Sequence, residues 1–193
     1  VDLGTTKGAV KGIWVCRAQE RLFVRVVGRG TFQNSRALRT YVQDLMAHGV
    51  HDFFIDLGGC QGMDSTFLGV LAGIGLRLRQ NKNGTVHIVN VGDRNYELLQ
   101  TLGLDRLLEV NSALPAVWHG RPSPPENAFQ LLPESDIDAL TKALDKDETA
   151  DLMLESHENL QKADGRNIQK FRDLTKMLRD GVEQRRTKSP DSA

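Results

Sequence analysis

The residues best placed to do chemistry in this chain are Asp64, Ser65 and Thr66. They follow an apolar run, Phe53-Phe54-Ile55-Asp56-Leu57, and a short Gly-rich loop. They open an apolar segment that reads as a helix. Two hydroxyls therefore stand at a helix N-terminus, where unpaired backbone N–H groups and the macrodipole favour negative charge. That position suits a covalent phosphate. It suits an enzyme nucleophile less, because no His lies near in sequence to act as base. Asp64 has two compatible readings: an N-cap that accepts backbone N–H bonds, and a carboxylate that helps place Ser65 and keeps a modified protein from its partner. Met63 and Phe67 bracket the site, either as exposed anchors for a partner or packed inward.

Little else in the chain offers chemistry. No Ser-His-Asp set, paired-carboxylate site or phosphate loop can be traced, so the chain is expected not to be an enzyme and to need no cofactor. His48, His51, His87, His119 and His157 are scattered without ligand spacing, so no metal site is expected. Cys16 and Cys60 are far apart and read as reduced thiols, with Cys16 inside a strand. With 25 Lys and Arg against 25 Asp and Glu, the formal net charge is zero. No global field draws the chain to nucleic acid or to a membrane surface. The longest apolar segment, near Phe67 to Leu76, is too short to span a bilayer. No signal peptide is apparent, and a cytoplasmic location is the expectation. The chain opens on Val1 rather than Met, which leaves its natural start open.

The elements that must position Ser65 follow from periodicity. Ile13–Cys16 and Leu22–Val27 read as a hairpin. Thr31–Ser35 reads as a loop, with Asn34 or Ser35 capping a helix that runs to about Gly49. Val50–Leu57 is a strand buried on both faces. The helix after Ser65 carries Gly69 and Gly73 four apart, which permits close packing on a sheet. A β-β-α-β-α-β-α order results, implying a mixed sheet with helices largely on one side.

Prolines between Ser112 and Ser135 mark a linker, which Phe129, Leu131 and Leu132 either pin to the domain or turn into a docking segment. Beyond it an αα-hairpin is expected. Its first pattern starts at Ile137, Leu140 and Leu144 and continues through Leu152 and Leu160 after a break near Asp145–Thr149. Gly165 is expected as C-cap and Asn167 as the next N-cap. The second helix carries Ile168, Phe171, Leu174, Leu178 and Val182 on one face. That face must be covered by the preceding helix, and then by the α/β domain or a second subunit. Acidic residues from Glu134 to Glu158 form either a solvated helix face or a surface for a basic partner.

Met63-Asp64-Ser65-Thr66 with Leu68-Gly69-Val70 resembles the phosphorylation segment of STAS domains, the family of sulphate transporter and anti-sigma factor antagonist domains. Gly84–Val91 resembles the family's next strand, and Tyr96–Asp105 its following helix and Gly-Leu-Asp turn. Two departures stand out. Phe67 replaces a common Gly, which reduces access to the serine, and Phe32-Gln33-Asn34 offers amides where an Asp is frequent.

The resemblance covers roughly residues 12–118 and implies a STAS-like mixed α/β sheet there, to which the periodicity of the last third adds the C-terminal helical hairpin. The expected division is a STAS domain at 12–118, a Pro-rich linker at 119–135, a helical extension at 136–184 and a polar tail at 185–193. It also implies a non-catalytic anti-sigma factor antagonist, a phosphorylation-controlled switch in a partner-switching system. Ser65, ahead of Thr66, is the phosphoacceptor. Met63, Asp64, Phe67, Phe32 and Asn34 meet the partner. The implied partners are an anti-sigma factor that is also a serine kinase, and a PP2C-type phosphatase. The alternative is a constitutive adaptor whose helical extension recruits a partner. A homo-oligomer through the C-terminal helices is a separate expectation under either reading.

Overall fold

The computed structural model describes residues 10–82, 84–110, 124–132 and 144–188. A hairpin opens the chain, β1 (Gly12–Ala18) and β2 (Arg21–Gly30), paired antiparallel. Helix α1 (Phe32–Ala47) leads to β3 (Asp52–Asp56), and β4 (Cys60–Met63) leads to α2 (Ser65–Asn81). Then come β5 (Thr85–Val89), α3 (Asp93–Thr101), a 3-10 turn at Leu104–Arg106 and β6 (Glu109–Val110). Strand β7 (Gln130–Leu131) and helices α4 (Leu144–Ala163) and α5 (Arg166–Lys188) complete the described elements.

The sheet runs β6-β5-β3-β2-β1-β7, with β4 branching off β2. Pairings along β6-β5-β3-β2 are parallel; β1 joins β2 and β7 antiparallel. Such a mixed sheet needs one face covered by helices, and the central strands supply the apolar side: Leu22, Val24, Val26, Phe53, Ile55, Val86 and Ile88 are buried. Leu38, Val42, Leu68, Leu71 and Leu99 meet them from the helices. The other face carries a ladder of stacked rings across β2, β3 and β5. Phe23 lies 5.2 Å from Phe54, and Phe54 lies 4.7 Å from His87. Phe129 packs against this cluster, with the Arg25 guanidinium 4.5 Å above its ring. The segment read as a linker therefore pins itself to the sheet here through β7 and Phe129. Pro115, Trp118, Pro133 and the rest of 111–123 and 133–143 lie outside the described residues.

Several expectations change. The loop before Asp64 contains a strand, β4, because the distal part of β2 extends past β3 and offers it an open edge. Helix α1 begins at Phe32, not after Asn34 or Ser35; its N-cap is Thr31. Helix α4 runs unbroken through Asp145–Thr149. Asn167 lies inside α5, and its buried amide donates to the Leu102 and Leu160 carbonyls at 2.9 and 2.8 Å. Helix α5 continues through the start of the expected tail to Lys188. Its inward row is Asn167, Phe171, Thr175, Leu178 and Val182, while Ile168 is 54 % exposed. Spacing from the buried Asn167 of three to four residues explains why Ile168 falls outside. The starting residues Ile137 and Leu140 lie outside the described residues, as do 189–193.

Candidate functional site

Ser65 owes its position to one strand pairing. Gly30 of β2 pairs with Met63 of β4 in parallel register, and the Asp64 N–H donates to the Gly30 carbonyl at 2.9 Å. The next residues of each strand turn into α1 and α2, so two helix N-termini lie side by side. Asp64 serves both. Its Oδ1 accepts from the Phe67 N–H at 2.9 Å, capping α2, and its Oδ2 accepts from the Phe32 N–H at 2.8 Å, in the first turn of α1. One carboxylate thus satisfies an orphan donor on each helix and sits where both macrodipoles favour negative charge.

The neighbours expected to meet a partner divide between surface and core. Phe67 is fully buried, and Met63 is buried at 7 % exposure. Both take the inward alternative. A Cβ on Gly30 would come within 2.6 Å of the Phe67 ring, so the bare backbone there makes room for the aromatic. Phe67 therefore takes up no surface beside Ser65, contrary to the expectation that it blocks access. Asn34 is also buried: its Oδ1 accepts from the Thr31 N–H at 2.9 Å and its amide donates to the Arg29 carbonyl at 3.0 Å. The amide that stands where an acid is frequent is used up in closing the start of α1. Phe32 is the exposed member of the group, at 37 %. Thr66 is buried at 4 %, while Ser65, the first residue of α2, is half-buried.

The sequence offered no base for Ser65, yet the fold brings one. His157 of α4 lies with Nε2 3.0 Å from the Ser65 Oγ, across 92 residues of chain. Its Nδ1 is 2.7 Å from the Met153 carbonyl oxygen. Only a donor can face a carbonyl, so Nδ1 carries the proton, and in the neutral ring Nε2 accepts from the Ser65 hydroxyl. The ring is 3 % exposed and meets Phe171 of α5 edge-on at 5.1 Å. A Ser–His contact is half of a nucleophile–base arrangement. The Nδ1 partner here is a main-chain carbonyl instead of a carboxylate, and α4 lies against the pair. The contact holds the hydroxyl of a half-buried residue in place. The signal missed in the sequence was the placement of His157 on the apolar stripe of α4, four residues after Met153 and three before Leu160.

The C-terminal helices are anchored around this contact. Gly69 and Gly73 pack against α4, not the sheet: an added Cβ would lie 2.3 Å from the Ser156 carbonyl oxygen and 2.5 Å from the Asn159 amide nitrogen. Four acidic residues of α4, Glu148, Asp151, Glu155 and Glu158, find their bases within the chain. Glu148 pairs with Arg36 and Glu155 with Arg39 at 2.5 Å, both arginines on α1. Glu158 pairs with Arg179 at 2.8 Å and Asp151 with Arg186 at 3.4 Å, both on α5. At the α4–α5 turn, Asp164 pairs with Arg106 of the 3-10 turn and Arg166 of α5. Hydrogen bonds from the Arg166 side chain and backbone hold its carboxyl down to about 2 from an ordinary 3.8, with Arg106 adding to the effect.

The described residues contain no group of His, Cys, Asp and Glu suited to a metal ion, and no helix among them is long and apolar enough to cross a membrane. Cys16 and Cys60 are both thiols, and burial raises the pKa of each.

Residues 15–109 match the protein family described as "Mlab, STAS domain". No curated protein matches the chain. Among solved structures, a candidate anti-sigma factor antagonist of Thermotoga maritima is 18 % identical, with 50 % of this chain and 82 % of that one covered and a TM-score of 0.46. The anti-sigma factor antagonist SpoIIAA in its unphosphorylated form is 15 % identical, with 46 % and 82 % covered and a TM-score of 0.42. The phosphorylated form of SpoIIAA from Bacillus is 16 % identical, with 52 % and 91 % covered and a TM-score of 0.44. These likenesses are too distant to bear on function. The family match and the mixed sheet agree: residues 15–109 of this chain are a STAS domain, and α4 and α5 are an addition to it.

Proposed function

We propose that the chain is a non-catalytic anti-sigma factor antagonist whose binding is switched by phosphorylation of Ser65. In this reading the unmodified form binds an anti-sigma factor that is also a serine kinase, and a PP2C-type phosphatase resets it. The observation that carries the proposal is the position of Ser65: first residue of α2, directly after a carboxylate that caps two helices. Phosphorylation adds roughly 1.5 to 2 negative charges and three acceptor oxygens at neutral pH. Paired helix N-termini tolerate that charge while it is solvated. A docked surface must desolvate it together with Asp64, which opposes binding without refolding the domain.

The test is labelling by the serine kinase of the same cell. Wild type and Thr66→Ala should accept phosphate, and Ser65→Ala should not. Undiminished labelling of Ser65→Ala sinks the assignment. A second reading, a constitutive adaptor with Ser65 never modified, draws support from the bond between its hydroxyl and the buried His157. The intact mass of protein isolated from native cells separates the two: an added phosphoryl group under any growth condition rejects the adaptor.

A further inference from the structure

The seam between α2 and α4 differs from the sheet–helix core. Its centre is made of small and polar groups: Gly69 against Ser156, Gly73 against Asn159, and Ser65 against His157. The Asn159 amide donates to the Gly69 carbonyl at 3.4 Å, at the long end of such bonds. Among the described side chains of α4, two large apolar ones, Leu152 and Leu160, join the main core. The edge facing α1 has a single polarity, with acid on α4 and arginine on α1. A cavity of about 240 Å³ opens along the same seam, lined by Arg39, Met46, Val70, Arg77, Glu155 and Asn159. Polar seams of this kind are typical of surfaces that separate and rejoin.

We infer that the α1–α2 face beside Ser65 is a docking surface for an acidic amphipathic helix of a partner protein, and that α4 fills this surface in cis until such a helix displaces it. The occupant must be a helix because Gly69 and Gly73, one turn apart, form a track that a cylinder bearing small side chains can approach to backbone distance. Acid is required because Arg36 and Arg39 present two cations at its edge, which α4 answers with Glu148 and Glu155. The partner competes with a tethered segment, so its apparent affinity is scaled by the fraction of molecules in which α4 has lifted away. His157 ties that fraction to Ser65, since its bond requires a hydroxyl hydrogen that a modified serine no longer has. The docking surface itself does not depend on Ser65 being modified, so this inference and the proposed switch fail separately.

The test uses the full chain and a labelled synthetic peptide of residues 144–163, read by fluorescence anisotropy. Wild type, with α4 in place, should bind the peptide weakly. The double variant Glu148→Arg, Glu155→Arg places like charges opposite Arg36 and Arg39, and should bind it at least tenfold more tightly. A peptide carrying the same two reversals should not bind either protein, and raised salt should weaken the native peptide. Hydrogen exchange should show α4 losing protection in the double variant while β3 and β5 keep theirs. Should that variant misfold, His157→Ala keeps both ion pairs, removes the bond that ties α4 to Ser65, and should raise peptide affinity over wild type. Failure of the native peptide to bind a folded variant in which exchange shows α4 released overturns the inference. So does equal binding of native and charge-reversed peptides. A doubling of mass in sedimentation with no peptide bound also overturns it, since the occupant is then α4 of a second copy.

Discussion

At the scale of single residues, the site is a matter of how few groups satisfy many demands. Asp64 closes two helix starts with two oxygens, so its loss leaves two N–H groups without their acceptor. His157 spends one nitrogen on its own helix and one on Ser65. Replacing it by Ala removes both bonds and the edge contact with Phe171, all in a buried setting. We expect His157→Ala to lower stability by roughly 1–3 kcal/mol in urea unfolding. It should also speed phosphate labelling of Ser65, because the hydroxyl is no longer held. A variant as stable as wild type and labelled no faster would falsify the role given to this contact.

At the scale of elements, the packing of α4 on α2 depends on two missing side chains. Gly69→Val puts branched carbons where the Ser156 carbonyl lies, and backbone cannot yield as a flexible side chain would. Helix α4 should therefore lift from α2, seen as faster amide exchange through Leu152–Leu160 with the sheet still protected. Unchanged protection of α4 in that variant contradicts the close approach. The α4–α5 turn is held by Asp164, whose folded pKa near 2 lies below its ordinary 3.8. A depressed carboxyl stabilises the fold above its ordinary pKa and stops doing so as pH falls through the folded value. The stability gap between wild type and Asp164→Ala should thus be full above about pH 4 and close as pH falls toward 2. Thermal melts across that window provide the check, and a gap that does not narrow on acidification removes Asp164 as the cause.

At the scale of the molecule, the extension is part of the fold. Leu152 and Leu160 belong to the same apolar cluster as the sheet. A chain ending at residue 132 should still form the sheet, since strands β1–β7 all precede that point. It should be less stable by roughly 3–6 kcal/mol for the two large side chains it lacks. Urea unfolding of the two lengths tests this. Equal stability means the hairpin adds nothing to the core, and an unfolded short chain means it is indispensable.

Much of this was legible in the sequence because it is local. Alternation in Leu22–Val27, the apolar run at Phe53–Leu57 and the helical spacing after Ser65 each depend on neighbours within a turn or two. Asp64 could be read as a cap because capping joins residues three apart. The resemblance at Met63–Val70 pointed to the family for the same reason. What one sequence does not encode in its spacing is which distant surfaces meet. The second role of Asp64, on Phe32, needs β4 to lie beside β2. The inward turn of Phe67 needs the bare backbone of Gly30, and the purpose of Gly69 and Gly73 needs α4. Of the acidic run read as solvated or aimed at another protein, Glu148, Asp151, Glu155 and Glu158 of α4 pair with α1 and α5 of their own chain. His157 is the clearest case, since periodicity could set it on an apolar stripe but only tertiary packing across 92 residues could decide that the stripe faces Ser65.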